Sequence, residues 1–402
     1  MDLRFGEEYE RFRDEVRSFL RESWPLRGAE AALSREEQEG IFRQRALEQG
    51  YLYRDIPHAY GGSEQPTDVL KDTILQEELA ASGAPGNIRN IGPAMLAPTL
   101  IEFGTEAQKR RFVPPTLRGE MLWCQGYSEP GAGSDLASLQ SRAVLDGDSW
   151  LINGHKVWTS SAHEAHCMFG LFRTEPEAPK HAGISYLLID MQAPGITVTP
   201  LRQMTGGAEF NEVFLDDVRV PAENIVGRRG EGWKVSRATL KHERNLIADP
   251  QLLLKMFDGV VALAKRTLRD GRPAIEQHDV RQRLAELEGY FWSQHYSGYR
   301  QLTAAARGQE LKVMLPMMMN KLYSTDLMQR LTTLAYELLG DTGLVMPAPE
   351  EAGMALLPDA AGSWTAQYLF AIANSIAGGA SNIQRNIIGE RGLGLPRDLR
   401  PR

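Results

Sequence analysis

The sequence predicts an α+β protein with three domains in the order all-α, β and all-α. The chain has 402 residues, which is more than one ordinary hydrophobic core holds, so two or three packed units are expected. The period of its apolar residues changes twice, from a helical period to short strand-like runs and back. We therefore predict an N-terminal helical domain over residues 1–120, a middle β-barrel or sandwich over 121–228 and a C-terminal helical domain over 229–402.

The first domain carries helical signals near its start. Phe12, Val16 and Leu20 recur at intervals of four residues, which places them on one face of a helix. Ser34 and Glu37 have the spacing of a capping box, in which two residues exchange hydrogen bonds at a helix N-terminus. Both patterns predict helices joined by irregular loops.

Short runs rich in β-branched and aromatic residues follow residue 121, which is typical of strands. Glycine-containing turns separate these runs, and the dipeptide Asn153-Gly154 has the composition of a tight hairpin turn. Many short strands in this arrangement predict a small barrel or sandwich. The predicted strands are Ala143–Leu145, Trp150–Ile152, Ile184–Ile189, Ile196–Pro200 and Glu212–Leu215.

Beyond Gly230 the helical period returns in long segments. One segment contains Met314 and Met317–Met319, and flexible methionine side chains commonly fill irregular gaps in a core. We therefore predict a helical domain with these methionines inside it. The predicted helices cover residues 232–248, 251–269, 278–308, 311–340 and 361–375.

Charge and hydropathy argue against several classes of function. The net charge of −7 is unlike a nucleic-acid-binding surface, which needs clustered Lys and Arg. No apolar run approaches the roughly 20 residues that span a bilayer, so no membrane insertion is expected. The N-terminus lacks the pattern of a signal peptide, and we expect a cytoplasmic protein.

The cysteines and histidines do not form a metal-binding pattern. Cys124 and Cys167 lack a metal-ligand or redox spacing and are expected to be small buried apolar residues. His163 and His166 lie close in sequence, but no cluster of acidic or cysteine ligands accompanies them. We expect no metal.

Two segments carry the chemistry of the chain. Gln125–Asp135 reads Q-G-Y-S-E-P-G-A-G-S-D, and Asn153–Ser160 reads N-G-H-K-V-W-T-S. Pro130 fixes one backbone angle, whereas Gly131 and Gly133 allow conformations that a side chain would block, so backbone N–H groups can approach a ligand. Such a turn alone is more typical of an ordinary loop. Together with the indole and two hydroxyls of the second segment, it predicts a site for a planar, phosphate-bearing cofactor.

The two segments resemble the flavin-binding core of the acyl-CoA dehydrogenase family, whose pattern is close to Y-(S/T)-E-P-G-A-G-S-D followed by N-G-x-K-x-W-(T/I)-(S/T). Further matches follow in the expected order at residues 210–221 and 383–396, so the resemblance spans the whole chain. It implies a C-terminal four-helix bundle, FAD as the cofactor and an acyl-CoA substrate. It also implies transfer of electrons to an electron-transferring flavoprotein.

The resemblance assigns roles within the two segments. Gln125–Ser128 would contact the flavin ring through backbone amides and a hydroxyl, and Ser134 would touch the CoA moiety. Trp158 would cover one face of the ring, while Thr159 and Ser160 would bond to its polar edge, where donors stabilise the charge of the reduced flavin. The implied cofactor-binding residues are Gln125, Gly126, Tyr127, Ser128, Trp158, Thr159, Ser160, Arg269, Ala380, Ser381 and Asn382.

The catalytic base departs from the commonest family pattern. The family reaction removes the α-proton of the thioester while a hydride passes from the β-carbon to the flavin, and a buried carboxylate with a raised pKa suits the first step. Many members carry this Glu in a C-terminal loop, Y-E-G-T-S-x-I-Q-R, where the present chain has Gly378. Glycine cannot abstract a proton, so either the chain is inactive or its base lies elsewhere.

Glu243 is the candidate for the missing base. It precedes Arg244, as the catalytic Glu does in the branch that resembles isovaleryl-CoA and long-chain acyl-CoA dehydrogenases. Leu240, Glu243 and Ile247 share one helical face, which puts a carboxylate on an apolar stripe. The segment from Lys241 to Arg244 could instead be an ordinary solvated charge run. We predict that Glu243 is the base and that Arg244 orders the substrate channel.

The glycine loop also predicts the substrate class. Without bulk at Ala377 and Gly378, the pocket beside the thioester is expected to be wide, which favours branched, cyclic or otherwise bulky acyl groups. The resemblance implies that the Gly378 N–H polarises the thioester carbonyl, together with a ribityl hydroxyl of the flavin. Gly378 and Gly379 therefore join Ser134 and Arg244 in the predicted substrate site.

Two family motifs for the adenosine and pyrophosphate half of FAD are altered. R-x-x-F-G-x-P corresponds to residues 267–273, where the Arg and Phe are missing, and Q-x-x-G-G-x-G corresponds to residues 337–343, where the Gln and one Gly are missing. Glu337 in place of Gln would repel a pyrophosphate unless the ligand lies elsewhere. Arg269, Arg272 or Arg281 could contact the phosphates, although surface salt bridges are commoner. A homotetramer and an α2β2 heterotetramer, in which one subunit type completes the other's flavin site, both stay open.

The sequence is compatible with three functions. We predict an FAD-dependent acyl-CoA dehydrogenase that forms a 2-enoyl-CoA. An oxidase or flavin monooxygenase of the same fold would differ in the rapid reoxidation of its reduced flavin by oxygen. A non-catalytic or half-site subunit of a heteromeric dehydrogenase would be colourless alone and would gain flavin only with its partner.

Overall fold

A computed structural model describes residues 6–88, 90–247, 250–309, 313–345 and 364–396. The N-terminal part forms the helices α1 (Glu7–Ser23), α2 (Arg35–Glu48), α3 (Val69–Ser82), α4 (Ala97–Phe103) and α5 (Glu106–Leu117). Helix α1 buries Val16 and Leu20, and Phe12 packs against the same core. Helix α2 begins with the predicted capping box of Ser34 and Glu37. The helical prediction for this domain is confirmed.

The middle part forms the strands β1 (Trp123–Gly126), β2 (Arg142–Asp146), β3 (Ser149–Ser160), β4 (Cys167–Arg173), β5 (Ile184–Asp190), β6 (Ile196–Leu201), β7 (Phe210–Pro221) and β8 (Ile225–Val226). They belong to one eight-stranded sheet in the order β6-β7-β3-β2-β4-β5-β8, with β1 parallel to β4. Ile152 and Met168 are buried in one apolar cluster, whereas Phe169 and Tyr186 are buried in a second one shared with the N-terminal helices. Both faces of the sheet are therefore covered near its centre.

Two details of the predicted sheet are wrong. Asn153-Gly154 is not a hairpin turn, because both residues lie inside β3, and the chain turns instead at Gly147. Asn153 bonds across to Asp217 at a bulge between β3 and β7, and a Cβ at Gly154 would overlap with Ser141. The strands β1, β4 and β8 are missing from the prediction. Strand β4 is buried along almost all of its length, so its sequence lacks the alternation that marks a half-exposed strand.

The C-terminal part forms the helices α6 (Gly232–Ile247), α7 (Pro250–Arg266), α8 (His278–Ala306), α9 (Met314–Leu339), α10 (Trp364–Asn374) and α11 (Ser381–Ile387). A short hairpin of β9 (Leu268–Arg269) and β10 (Arg272–Pro273) follows α7. Helices α7, α8, α9 and α10 contribute Val260, Leu287, Leu331 and Ala371 to one apolar core, which confirms a C-terminal four-helix bundle. No described helix carries an apolar stretch long enough to cross a bilayer.

The predicted burial of the methionine group is wrong. Met314, Met317 and Met319 are 39%, 47% and 42% exposed on α9, and Met318 is half-buried. The residues that α9 gives to the bundle core begin only at Leu327. The first turns of α9 therefore extend beyond the apolar core of the bundle.

Helix α6 connects the three parts of the molecule. Val235 of α6 is buried in the same apolar cluster as Tyr186 of β5 and residues of the N-terminal helices. Oγ1 of Thr239 lies 3.0 Å from Oγ1 of Thr99 in α4, and both side chains are fully buried. The helix that carries Glu243 is thus packed against both other domains.

Candidate functional site

Strand β1 directs the first site segment out of the centre of the sheet. A Cβ at Gly126, the last residue of β1, would overlap with Sδ of Met168 in β4, so the two strands approach closely here. The next residue, Tyr127, is buried and packs edge-on against Phe169 and Tyr186. The loop after β1 therefore leaves the sheet from a fixed point.

A bulge in β3 turns Trp158 out of the sheet. Lys156 pairs with Val213 and Thr159 with Asn211, so β3 has one more residue than β7 between these pairs. Trp158 has a φ of +60°, which is rare for a bulky residue, and it is 60% exposed. Bulges commonly re-aim side chains beside functional sites. The outcome is an indole surface that a planar ligand could cover.

Two buried polar atoms of the predicted cofactor set have no hydrogen-bond partner among the described residues. They are Nε2 of Gln125 and Oγ1 of Thr159. Thr159 is fully buried, and its carbonyl accepts a hydrogen bond from Nδ2 of Asn211 at 2.9 Å, so its position is fixed. Leaving such an atom unsatisfied costs about 1–3 kcal/mol. Both atoms fit a ligand with hydrogen-bonding groups along one edge. Ser160, which pairs with Phe210, directly follows Thr159.

A buried ion pair joins the two site segments. Nζ of Lys156 lies 2.8 Å from Oε1 of Glu129, and the two side chains are 0% and 7% exposed. Lys156 also donates to the carbonyl of Leu171 in β4 at 2.7 Å. The Glu129 carboxylate accepts from the backbone N–H groups of Gln140 and Ser141, just before β2. The pair thus fixes the loop after β1 against β3.

The surroundings of Glu129 make it a poor base. Burial raises the pKa of its carboxyl, but Lys156 and the backbone donor at Gln140 outweigh burial and hold the pKa below its usual value. Burial lowers the pKa of Lys156 to about 8, and Glu129 opposes this effect, so both groups are charged at neutral pH. A carboxylate engaged in this way does not readily take up a substrate proton. Glu129 is therefore a structural residue of the loop.

The loop from Glu129 to Ser141, which includes Gly131, borders a cleft of 470 Å³, and His155 of β3 lines the same cleft. The predicted reason for Gly131 and Gly133 is wrong, because neither residue has a positive φ. No described atom lies within 4 Å of where their Cβ atoms would be. The two glycines therefore leave open space beside the backbone, and Ser134 is exposed next to them.

The loop between α10 and α11 contains the predicted substrate-site glycines. Gly378 and Gly379 have positive φ values of +62° and +98°. Nε2 of Gln384 donates to the Gly378 carbonyl at 3.2 Å, whereas the Gly378 N–H bonds to no other described residue. Ala380 is the N-cap of α11, and Ser381-Asn382 begins the helix. The loop belongs to the C-terminal bundle, unlike the segments on β1 and β3.

Arg269 also lies apart from the β1 and β3 segments, in the hairpin of β9 and β10. Its guanidinium lies 3.3 Å from the carboxylate of Asp279 and donates to the carbonyl of Glu337 at 3.4 Å. The Glu337 carboxylate forms an ion pair with Arg283. The two altered adenosine motifs therefore meet within one chain, and Arg283 balances the charge of Glu337.

Glu243 and Arg244 lie on α6, but their side chains are outside the described part of the structure. The helix places position 243 one turn after Leu240, which packs against the apolar cluster shared with the other domains. Burial, and then the charge of Lys241, lower the pKa of His242. Helix α6 is thus partly buried at His242.

The sequence prediction missed the side chains that support the site. Lys156, Asn211 and Gln384 are buried and bond to neighbouring groups, but they are not in the predicted set. One sequence signal could have identified Lys156. Trp150 and Ile152 lie on the buried face of β3, and since every second side chain of a strand points to the same face, Lys156 is expected on that face too. A lysine at an inward position needs a buried partner. Asn211 and Gln384 have no comparable signal.

The cysteines are free and unreactive. Cys124 is buried as predicted, and Cys167 is half-buried. Burial raises the pKa of the Cys124 thiol far above its usual value and that of Cys167 to about 12. Within the described ranges, no group of three or more His, Cys, Asp or Glu residues could hold a metal ion.

The order of helical, β and helical domains, with joined segments on β1 and β3, is the architecture of one class of oxidoreductase. Family models of the acyl-CoA dehydrogenases match the chain in all three parts: the N-terminal domain at residues 6–120, the middle domain at 124–218 and the C-terminal domain at 230–393. The chain belongs to the acyl-CoA dehydrogenase family, whose members are oxidoreductases and generally depend on FAD.

Similar proteins agree with this assignment over nearly the full chain. The acyl-CoA dehydrogenase IpdE1 of Mycobacterium tuberculosis is 39% identical over 98% of this chain and 100% of its own length. The acyl-CoA dehydrogenase FadE26 of the same organism is 31% identical over 99% of each chain.

Two solved structures are similar in fold and sequence. The Tcur3481-Tcur3483 steroid ACAD is 28% identical, with a TM-score of 0.75 over 99% of this chain and 100% of that one. The ChsE4-ChsE5 complex from Mycobacterium tuberculosis is 30% identical, with the same TM-score and coverage.

Proposed function

We propose that this chain catalyses the FAD-dependent α,β-dehydrogenation of an acyl-CoA thioester to a 2-enoyl-CoA. The proposal is carried by two buried atoms without partners among the described residues, Nε2 of Gln125 and Oγ1 of Thr159, together with the outward indole of Trp158. A flat ring system with polar groups along one edge would satisfy both atoms and cover the indole. The isoalloxazine ring has this shape and chemistry.

Residues of β1 and β3 would hold the ring. Gln125–Ser128 and Trp158–Ser160 are proposed to bind the isoalloxazine, and Arg269 with Ala380–Asn382 the rest of the cofactor. Bound FAD would supply the two-electron acceptor for the hydride of the β-carbon. The contribution of the protein is to present fixed donors to the polar edge, where preorganised donors stabilise negative charge.

Glu243 is proposed as the base that removes the α-proton. Its place on α6 supports this role, because position 243 lies one turn after Leu240 on a helix that packs against both other domains. Glu129 forms an ion pair with Lys156, and Gly378 has no side chain that could accept the α-proton. Arg244 is proposed to order the substrate channel.

The glycine loop is proposed to bind the thioester. The Gly378 N–H has no acceptor among the described residues and is therefore available to polarise the thioester carbonyl. Gly378 and Gly379 also add no bulk to the pocket, and Ser134 would contact the CoA moiety. The likeness to a steroid acyl-CoA dehydrogenase supports a bulky, polycyclic acyl group.

A panel of acyl-CoA thioesters tests this proposal. Purified flavin-containing protein is mixed anaerobically with straight-chain, branched and steroid-derived acyl-CoAs, and the loss of flavin absorbance is followed. We expect bulky thioesters to bleach the flavin fastest. The matching free acids should not bleach it, because a carboxylate does not acidify its α-carbon comparably. The proposal would be rejected if a free acid bleached the flavin as fast as its thioester does. It would also be rejected if none of the thioesters bleached the flavin.

A half-site or non-catalytic subunit of an α2β2 heterotetramer is the second candidate. One observation favours it: at the position where the resemblance places a Gln, the chain has Glu337, which is already paired with Arg283. The likeness to the ChsE4-ChsE5 complex supports such a mixed assembly. The alternative assembly is a homotetramer in which the site for the adenosine half of FAD is altered. In both assemblies, an electron-transferring flavoprotein is the proposed electron acceptor.

Flavin content separates the two assemblies. A half-site subunit purified alone would be colourless and would take up FAD only when its partner is added. A yellow homotetramer with one FAD per chain would exclude the half-site candidate. Rapid reoxidation of the reduced flavin by oxygen would instead indicate an oxidase or monooxygenase.

A further inference from the structure

A buried lysine lies beneath the glycine loop. Lys321 of α9 is only 2% exposed, and its Nζ donates to the carbonyl of Gly379 at 2.9 Å. Burying an ammonium group is costly unless strong hydrogen bonds compensate for the lost water. A methionine would fill similar space without this penalty, whereas the ammonium group of Lys321 can bond to the loop.

The glycine loop is bound by side chains of neighbouring helices, because its two glycines have no side chains of their own. Gln384 of α11 donates to the carbonyl of Gly378 at 3.2 Å and lies 3.5 Å from that of Gly379. Lys321 and Gln384 thus fix two successive carbonyl groups from two different helices. Gly379 has a φ of +98°, which other residues rarely adopt, and a Cβ there would come within 2.6 Å of Nε2 of Gln384, so this side chain would have to move.

Two adjacent glycines have more backbone freedom than any other dipeptide. A hydrogen-bond donor in a catalytic site must nevertheless be held within about 0.5 Å of its productive position. The Gly378 N–H can meet this requirement only if the surrounding helices restrict the loop. Among the described contacts that restrict the loop, the hydrogen bond from Lys321 to Gly379 has a charged donor, whereas the bond from Gln384 to Gly378 has a neutral one. Hydrogen bonds with a charged partner are roughly twice as strong as neutral ones.

We propose that Lys321 is a positioning residue for the thioester: its ammonium group fixes the Gly378-Gly379 backbone so that the Gly378 N–H points at the carbonyl oxygen of the substrate. This inference rests on the proposed acyl-CoA dehydrogenation. Lys321 does not touch the substrate in this account and acts through the loop. Its positive charge also favours the negative charge that develops on the thioester oxygen when the α-proton leaves.

The test compares Lys321→Met and Lys321→Arg with Thr332→Val. Thr332 is a buried α9 residue whose hydroxyl bonds only to carbonyls of its own helix, so its variant reports the general effect of changing a polar residue in this helix. Flavin-containing protein is mixed anaerobically with the acyl-CoA that bleaches the wild type fastest. The rate of flavin reduction at saturating acyl-CoA, the acyl-CoA dissociation constant and the thermal midpoint are measured.

We expect Lys321→Met to slow flavin reduction at saturation by about 30- to 100-fold, while the dissociation constant changes by less than about 3-fold. Lys321→Arg should restore at least part of the rate, because it keeps a charged donor. Thr332→Val should reduce flavin within about 3-fold of the wild-type rate. If Lys321→Met does not fold, Lys321→Gln takes its place, with a loss in the same direction.

The inference is overturned if the Lys321 variants lower the thermal midpoint but reduce flavin at the rate of Thr332→Val. That pattern would make Lys321 a purely structural residue. A wild type that no acyl-CoA bleaches would instead reject the proposed function, and this inference with it. The two failures are therefore separated by the behaviour of the wild-type protein.

Discussion

At the scale of single residues, Glu129 and Lys156 hold the two proposed flavin-binding segments together. The carboxylate lies in the loop after β1 and the ammonium group on β3, and each makes further bonds to the backbone around it. Removing one partner of such a buried pair leaves an uncompensated charge and costs about 3–5 kcal/mol, whereas replacing both by neutral groups is often tolerated. The pair therefore links the stability of the protein to the shape of its site.

The pair predicts an acid-sensitive component of stability. The folded protein lowers the pKa of Glu129 below its usual value of 4.5, so the folded state binds this proton more weakly than the unfolded chain does. Ionisation of Glu129 in the folded protein thus adds stability above about pH 4.5, and this contribution is lost as the pH falls below that value and through the lowered pKa. We expect the double variant Glu129→Gln/Lys156→Met to lose less of its thermal midpoint than the wild type between about pH 6 and pH 3.5.

The surface pair of Arg118 and Glu120 provides a matched control. Its side chains are 58% and 57% exposed, and exposed ion pairs contribute little to stability. Glu120→Gln should therefore follow the wild-type acid profile closely. A double variant at positions 129 and 156 with an unchanged acid profile would show that the buried pair does not contribute as described.

Individual site residues were partly predictable from the sequence. The motifs placed Trp158 and Thr159 in a candidate site, because their spacing carries a specific family pattern. They did not predict that a bulge turns Trp158 outward, since a bulge depends on the register between β3 and β7. The bond from Lys321 to the glycine loop joins residues 58 positions apart, so no local pattern could have found it.

At the scale of elements, β3 brings the cofactor segment into position through two irregularities. One bulge lies beside Asn153-Gly154 and the other beside Trp158. Gly154 lets β3 approach Ser141, which in turn donates its N–H to Glu129. The strand, the loop and the buried ion pair are therefore one connected unit.

This unit predicts the effect of Gly154→Ala. A Cβ at this position overlaps with the Ser141 side chain and lies 2.8 Å from its backbone Cα, so the start of β2 must move. Such overpacking destabilises a protein by about 1–3 kcal/mol. We expect a lower thermal midpoint together with weaker retention of flavin during gel filtration.

Gly40→Ala is the corresponding control in α2. No described atom lies within 4 Å of its Cβ position, and alanine favours a helix more than glycine does. It should leave the thermal midpoint unchanged or raise it. If Gly154→Ala behaved like Gly40→Ala, the close contact between β3 and the loop would not be needed.

The elements differed in how well the sequence predicted them. The long helices from α6 to α10 have strong apolar periods, and their predicted segments agree with the structure within a few residues at most ends. Strand β4 has no alternation because both of its faces are buried, so it was missed. Asn153-Gly154 has turn composition, but pairing with β7 overrides the local preference and keeps it inside a strand.

At the scale of the whole molecule, composition and periodicity predicted the order of the domains but not the surfaces through which they meet other chains. Met314, Met317 and Met319 have an apolar pattern that predicts burial, yet they are exposed on the single chain. A sequence pattern is the same whether an apolar helix face packs inside one chain or against a second one. This exposure supports the proposed assembly of several subunits.

The proposed reaction needs a base carried by one domain to act beside a cofactor bound by another. Helix α6 makes this possible, because Val235 anchors it to the sheet and Thr239 anchors it to α4, eight and four residues before Glu243. Neither Gly378 nor the ion-paired Glu129 could replace that carboxylate. The chemistry should therefore fail when Glu243 alone is neutralised.

The most direct test is the rate of anaerobic flavin reduction in Glu243→Gln, measured with the acyl-CoA that bleaches the wild type fastest. The amide keeps the size of the side chain but cannot accept the α-proton. We predict that reduction slows by at least about 10³-fold, while the dissociation constant for the acyl-CoA changes by less than about 3-fold. Flavin reduction at a rate close to that of the wild type would contradict the assignment of Glu243 as the catalytic base.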